Sequence, residues 1–179
     1  MMKSAPLETL AKGKYLHLVK RGTWEWVQRP SNHDAVCIIA TTSDDHLILV
    51  EQYRYPLSCN TIELPAGLVG DEVGKDGEPV LTAAKRELEE ETGHISESWQ
   101  NLGRFASSAG MSSEAPMIVT AANCRKVSDG GGVDGEDITV RLIPLSTAEK
   151  WLKQRQTEGL IIDTRVLFGL AMARNAIAL

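Results

Sequence analysis

Residues 85–93 read Lys-Arg-Glu-Leu-Glu-Glu-Glu-Thr-Gly, KRELEEETG. Leu81, Ala84, Leu88 and Ile95 keep a 3-4-7 apolar spacing and Gly93 is a helix stop, so a helix is expected over roughly 80–92. On such a helix Glu87 and Glu91 lie one turn apart on one face, and Glu90 borders that face within reach of Arg86. Glu89 falls off the cluster and is expected in solvent. Like charges at i, i+4 destabilise an isolated helix by about 0.2–0.5 kcal/mol per pair. Carboxylates near a helix C-terminus also oppose the macrodipole. A bound cation would offset both costs, and hard cations take a carboxylate or two together with water and substrate phosphates. These residues alone leave two readings open, a metal site and a solvated charge run.

Upstream of this helix the chain reads as strands. TWEWVQ (23–28) alternates, which puts Trp24 and Trp26 on one face beside a turn at Gly22. AVCIIAT (35–41) and HLILVEQYRY (46–55) are β-branched apolar runs separated by Thr42-Ser43-Asp44-Asp45, the pattern of a hairpin. NTIELPAGLVG (60–70) is a short strand that stops at Pro65. Downstream, NLGRF (101–105), MIVTAAN (117–123) and ITVRLIPL (138–145) read as strands, with loops at 106–116 and 127–137. Ser146 and Glu149 have the spacing of a capping box for a helix, and Asp163 is placed to cap a last helix running toward Leu179. Strands, helix, strands, helices is not a βαβαβ alternation. It fits a mixed α/β sandwich with a sheet between helices.

The 179 residues, 42% hydrophobic and 24% charged, suit one globular domain with a small appended element. The net charge of −5 argues against nucleic acid as a partner, because phosphate backbones need a basic surface. It leaves room for a small phosphorylated substrate held through metal ions. The scattered cysteines Cys37, Cys59 and Cys124 form no C-x-x-C pair and point to a reducing compartment, with Cys37 a buried core residue. Neither a signal-peptide pattern nor an apolar stretch long enough to span a membrane is present, so the expected location is cytoplasmic.

Glu78, Arg86, Glu87, Leu88, Glu90, Glu91 and Gly93 together spell Glu-x7-Arg-Glu-Leu-x-Glu-Glu-x-Gly. The chain therefore resembles the Nudix hydrolases, which use Mg²⁺ or Mn²⁺ to cleave nucleoside diphosphates linked to another group. Position 72 is Glu where the family box has a glycine. Gly67 takes that glycine's place, with extra residues inserted across 70–77, and His94 stands where an apolar residue is usual. EQYRYP (51–56), IELPAG (62–67) and GTWEWV (22–27) resemble the ADP-ribose and nucleotide-sugar pyrophosphatase branch. The implied fold is a Nudix-type α/β/α sandwich with a mixed sheet over 33–179. A small N-terminal β element over 1–32 is implied to build a homodimer.

The resemblance also implies roles. Glu87, Glu91 and the carbonyl of Ala66 would hold Mg²⁺, or Mn²⁺, with Glu90 and Arg86 assisting. Glu114, in SSAGMSSEAP (107–116), would be the general base. Arg54 would contact substrate phosphate or ribose, Glu136 would lie near the site, and Trp24 would stack on the base, with plain packing equally open for it. The branch commonly reads Ser-Pro-Gly where this chain has Ser108-Ala109-Gly110, which leaves sugars other than ribose open. The implied reaction is hydrolysis of ADP-ribose or a related nucleoside diphosphate sugar to a nucleoside monophosphate and a sugar phosphate. The alternatives are a GDP-mannose or broad nucleotide-sugar hydrolase, a hydrolase of free or oxidised nucleotides, and a nucleotide-sugar sensor without catalysis.

Overall fold

The structure, a computed structural model, describes residues 5–30, 34–70, 77–133 and 135–175. Most of the expected insertion at 70–77, the expected boundary at 32/33 and the last residues before Leu179 lie outside them.

Strands β1 (Leu7–Lys12), β2 (His17–Arg21) and β3 (Trp24–Gln28) form a separate three-stranded antiparallel sheet. β1 has no alternating pattern of its own. Pairing with β2 makes it a strand, with an irregularity between Thr9 and Ala11. The remaining strands are β4 (Ala35–Thr42), β5 (His46–Arg54), β6 (Cys59–Glu63), β7 (Ala66–Leu68), β8 (His94–Ile95), β9 (Ser98–Arg104), β10 (Met117–Lys126), β11 (Thr139–Pro144) and β12 (Ile161–Ile162). They form one mixed sheet in the order β12-β6-β5-β4-β10-β8, with β11 on β5, β7 on β4 and β9 on β10. β4–β10 and β6–β12 are parallel and the other pairs antiparallel.

Period-two geometry sorts the core into two layers. On β4, Val36, Ile38 and Ala40 pack against Ala83, Ala84 and Leu88 of helix α1 (Val80–Thr92). The alternate residues Cys37 and Ile39 pack against α2 (Ala148–Thr157) and α3 (Thr164–Ala173) through Leu152, Val166 and Leu170. Helices on both faces of a mixed sheet make the expected α/β/α sandwich.

α1 spans the expected residues, but its buried stripe differs. Leu81 is exposed and Ile95 lies beyond the helix in β8, while Ala83 and Ala84 turn inward with Leu88. These three residues pack on Val36, Ile38 and Ala40, and Leu81 is left at the rim. Gly93 ends the helix in the left-handed region, at φ 69°, and a Cβ there would stand 2.2 Å from the Ser128 carbonyl oxygen. The capping box expected at Ser146 does not form. α2 is capped at Thr147 without a side-chain bond, because Ser146 lies in the preceding turn. Asp163 caps α3 as expected, accepting from Arg165 N at 2.7 Å.

The altered stripe is open to a stability test. Leu88→Ala should cost about 2–5 kcal/mol and Leu81→Ala no more than about 0.5 kcal/mol, read from urea midpoints. Comparable losses would place both side chains in the core.

Candidate active site

A cleft of about 960 Å³ opens where β5, β6 and β7 end and α1 crosses above them. Its first wall is the acidic face of α1. Arg86 is the hub there. It donates to Glu87 Oε1 at 2.8 Å, Glu90 Oε2 at 3.1 Å, Glu78 Oε2 at 3.4 Å and the Leu68 carbonyl at 3.2 Å. Burial works against its charge, but Glu87, Glu78 and Glu90 outweigh burial and hold its pKa above the usual range. Glu89 is exposed, as its place on the helix requires.

Glu91 is buried under the cleft floor, and its Oε2 accepts from the Ala66 N–H at 3.0 Å. Burial, then the charges of Glu87 and Glu136, push its pKa up to about 8 against that bond. Gly67 is fixed by close approach, because a Cβ there would stand 1.9 Å from Glu87 Cδ. A side chain here would take the place of the Glu87 carboxylate, so glycine is what lets Glu87 lie over the β6–β7 turn.

This donor set fits a hard divalent cation. Glu91 is a carboxylate held above its ordinary pKa by burial first and then by the charges of Glu87 and Glu136, a cost that a cation would relieve. Among the described residues no three His, Cys, Asp or Glu side chains converge as a ready-made ligand cluster.

The opposite wall carries arginines. Arg54 Nε and Nη2 donate to Glu63 Oε1 and Oε2, each at 2.7 Å, and Thr61 Oγ1 donates to Glu63 at 2.5 Å. Burial opposes the charge of Glu63, yet these bonds hold its pKa below the usual carboxylate value. Arg165 donates through Nε and Nη2 to Asp163 at 2.8 and 2.6 Å, and through Nη1 to Cys37 Sγ at 3.1 Å. The sequence reading gave no site role to Glu63, Asp163, Arg165 or Cys37. The only local signal was Glu63 at the end of β6.

The roof comes from two loops. Glu114 reaches the cleft with Arg29 Nη2 at 3.4 Å. Its loop is tied to β3 by Val27 N to Met111 O at 2.9 Å and Ser113 N to Val27 O at 3.1 Å. Glu136 also lines the cleft and accepts from Val133 N at 3.2 Å. The structure therefore brings Ala66, Arg86, Glu87, Glu90, Arg54, Glu114 and Glu136 to one cleft, with Glu91 bonded beneath it. Trp24 stands apart, 58% exposed, in a separate hollow with Trp26, Ala109 and Gly110.

The chain matches the NUDIX domain over residues 31–160. It is 37% identical over 124 residues to the methanol dehydrogenase activator of Bacillus methanolicus, a match that spans 68% of this chain and 64% of that protein. It is 30% identical over 170 residues to the ADP-ribose pyrophosphatase of Bacillus subtilis (strain 168), covering 87% of this chain and 88% of that one. Among solved structures, that of an ADP compounds hydrolase superposes with a TM-score of 0.67 at 27% identity, covering 83% of this chain and 80% of the other.

Two outcomes follow from the acidic wall. The pKa of Glu91 is near 8 folded and near 4.5 in the unfolded chain. The unfolded state thus loses its proton first, and stability without divalent ions should fall as pH rises from about 4.5 to 8. In thermal melts across that window, Glu91→Gln should flatten the fall and added divalent ion should reverse it in the parent chain. Parallel pH profiles in both proteins would refute the buried carboxylate's part. Gly67→Ala should displace Glu87 and weaken divalent-ion binding about 10–100-fold, as calorimetry would show; unaltered affinity would mean that Glu87 takes no part.

Proposed function

The chain belongs to the NUDIX family, and on that footing we propose that its cleft hydrolyses the pyrophosphate bond of ADP-ribose or a related nucleoside diphosphate sugar. The products are a nucleoside monophosphate and a sugar phosphate. One observation carries this reading: a carboxylate wall on α1 faces an arginine wall across a cleft large enough for a dinucleotide-sized ligand.

Glu87, Glu91 and the Ala66 carbonyl would hold the divalent ion, Mg²⁺ by preference with Mn²⁺ as a substitute. When bound, it neutralises phosphate charge, polarises a phosphoryl oxygen and orients water. Arg86 fixes Glu87 and Glu90 from behind, so the acids meet the substrate already oriented. Arg54 offers its guanidinium edge to phosphate, held by Glu63. Glu114 accepts the proton of the attacking water, with Arg29 setting its position. Glu136 borders the same space from its loop.

Residues 1–32 are proposed as a dimerising element and 33–179 as the hydrolase domain. Two observations support a homodimer. Leu7, Leu10, Leu16, Leu18 and Trp24 leave the small sheet with exposed apolar surface. Trp24 also lines a hollow apart from its own chain's cleft, which suits a residue that serves the cleft of a second copy. The free cysteines suit a reducing, cytoplasmic setting. Ser108-Ala109-Gly110 supports a broader second reading, in which GDP-mannose and other nucleotide sugars are accepted.

A substrate panel with Mg²⁺ and a phosphate-coupled readout tests this. ADP-ribose should give the highest kcat/KM, and Glu114→Gln should lower kcat about 10²–10⁴-fold with the melting temperature retained. Tight ADP-ribose binding without any turnover would replace the enzyme with a sensor.

A further inference from the structure

Of the two arginines on the wall opposite α1, only Arg54 has a role in the reading above. Strand register shows why Arg165 stands beside it. β12 runs parallel to β6 with Ile161 beside Thr61 and Ile162 beside Ile62, and Asp163 N donates to the Ile62 carbonyl at 3.0 Å. One step further along, Glu63 and Asp163 stand side by side where both strands end. Each carboxylate grips one arginine through Nε and Nη2, so two guanidiniums hang from adjacent strand ends into one cleft.

These charges sense each other, because Arg165 disfavours the charged form of Arg54 although Glu63 outweighs it. Glu63 and Asp163 each balance one of these charges, so the cleft meets the outward faces of two held guanidiniums. The third contact of Arg165 does not discharge it. Cys37 is a buried thiol whose pKa burial pushes up to about 11, so it accepts a bond while remaining neutral. Among the described residues, three of the five guanidinium N–H groups of Arg165 are bonded this way. The two that remain sit one on each terminal nitrogen, where they can donate to phosphate oxygens. The Arg165 side chain is 28% exposed on the cleft wall.

We infer that Arg165 and Arg54 form a two-guanidinium subsite for the substrate's pyrophosphate oxygens, with Glu63 and Asp163 as positioning residues. The subsite takes the oxygens that the acidic wall and its cation leave uncovered. This rests on the pyrophosphate reading proposed above. Phosphate is the ligand the geometry favours because its several oxygens can accept from two neighbouring guanidiniums at once, whereas a lone sugar hydroxyl would engage one N–H.

The test measures ADP binding to the full chain by calorimetry in Mg²⁺ buffer. Arg165→Gln should weaken it about 10–100-fold. Arg165→Lys, which keeps the charge without the fork, should fall between. In ADP-ribose turnover KM should rise by a similar factor while kcat falls less, a split that mere loosening of the fold would not produce. If Arg165→Gln fails to fold, Arg165→Lys carries the decision. ADP affinity unchanged in variants that keep the parent melting temperature overturns the subsite, as does an unaltered chain that binds no ADP. An unaltered chain that binds ADP through Arg165 yet hydrolyses no nucleotide sugar sinks the substrate reading and leaves the subsite standing.

Discussion

The contact on which the rest of the site depends is the meeting of α1 with the β6–β7 turn. Glu91 accepts the Ala66 N–H and Glu87 lies over the bare backbone of Gly67. A helix bearing clustered acids near its C-terminal end is electrostatically poor by itself. Packing it against the β6–β7 turn sets Glu91 on the Ala66 N–H and Glu87 over Gly67, so both acids lie at one end of the cleft. Leu88, Ala83 and Ala84 hold the other side of the helix on the sheet, so the carboxylates cannot swing away to solvent together. The stability of the core is thereby used to keep an unfavourable charge arrangement in place.

Charge balance across the cleft follows from the same logic. On the helix side, Arg86 is shared among Glu78, Glu87 and Glu90. On the strand side, Arg54 and Arg165 each have one carboxylate, Glu63 and Asp163. One wall carries more acid than base and the other pairs its charges evenly with the guanidiniums turned inward. A ligand with its own anionic oxygens and an accompanying cation complements both walls at once, whereas a neutral ligand would complement neither.

The N-terminal sheet is joined to this machinery by backbone. β3 bonds the loop that carries Glu114 through Val27, and Arg29 just beyond β3 meets the Glu114 carboxylate. The position of the roof thus depends on an element outside the sandwich. Leu7, Leu10, Leu18 and Trp24 of that sheet are exposed.

Much of this was legible from residue order. Helical period, the Gly93 stop and the acid spacing fixed α1 and its charged face. The apolar runs fixed β4, β5 and β10, and a family resemblance assembled most of the acidic wall. These are local signals, set by periods of two and 3.6 that neighbouring residues carry themselves. Tertiary structure alone decided four other things. Leu81 faces out because the helix sets Ala83, Ala84 and Leu88, not Leu81, against the sheet. Leu7–Lys12 is a strand because β2 is beside it. Trp24 stands apart from the cleft. Asp163 and Arg165 join the site because a two-residue parallel pairing sets them against Glu63, a hundred residues away in the chain. No periodicity within either segment encodes that register. It depends on which strands lie adjacent once the core has closed.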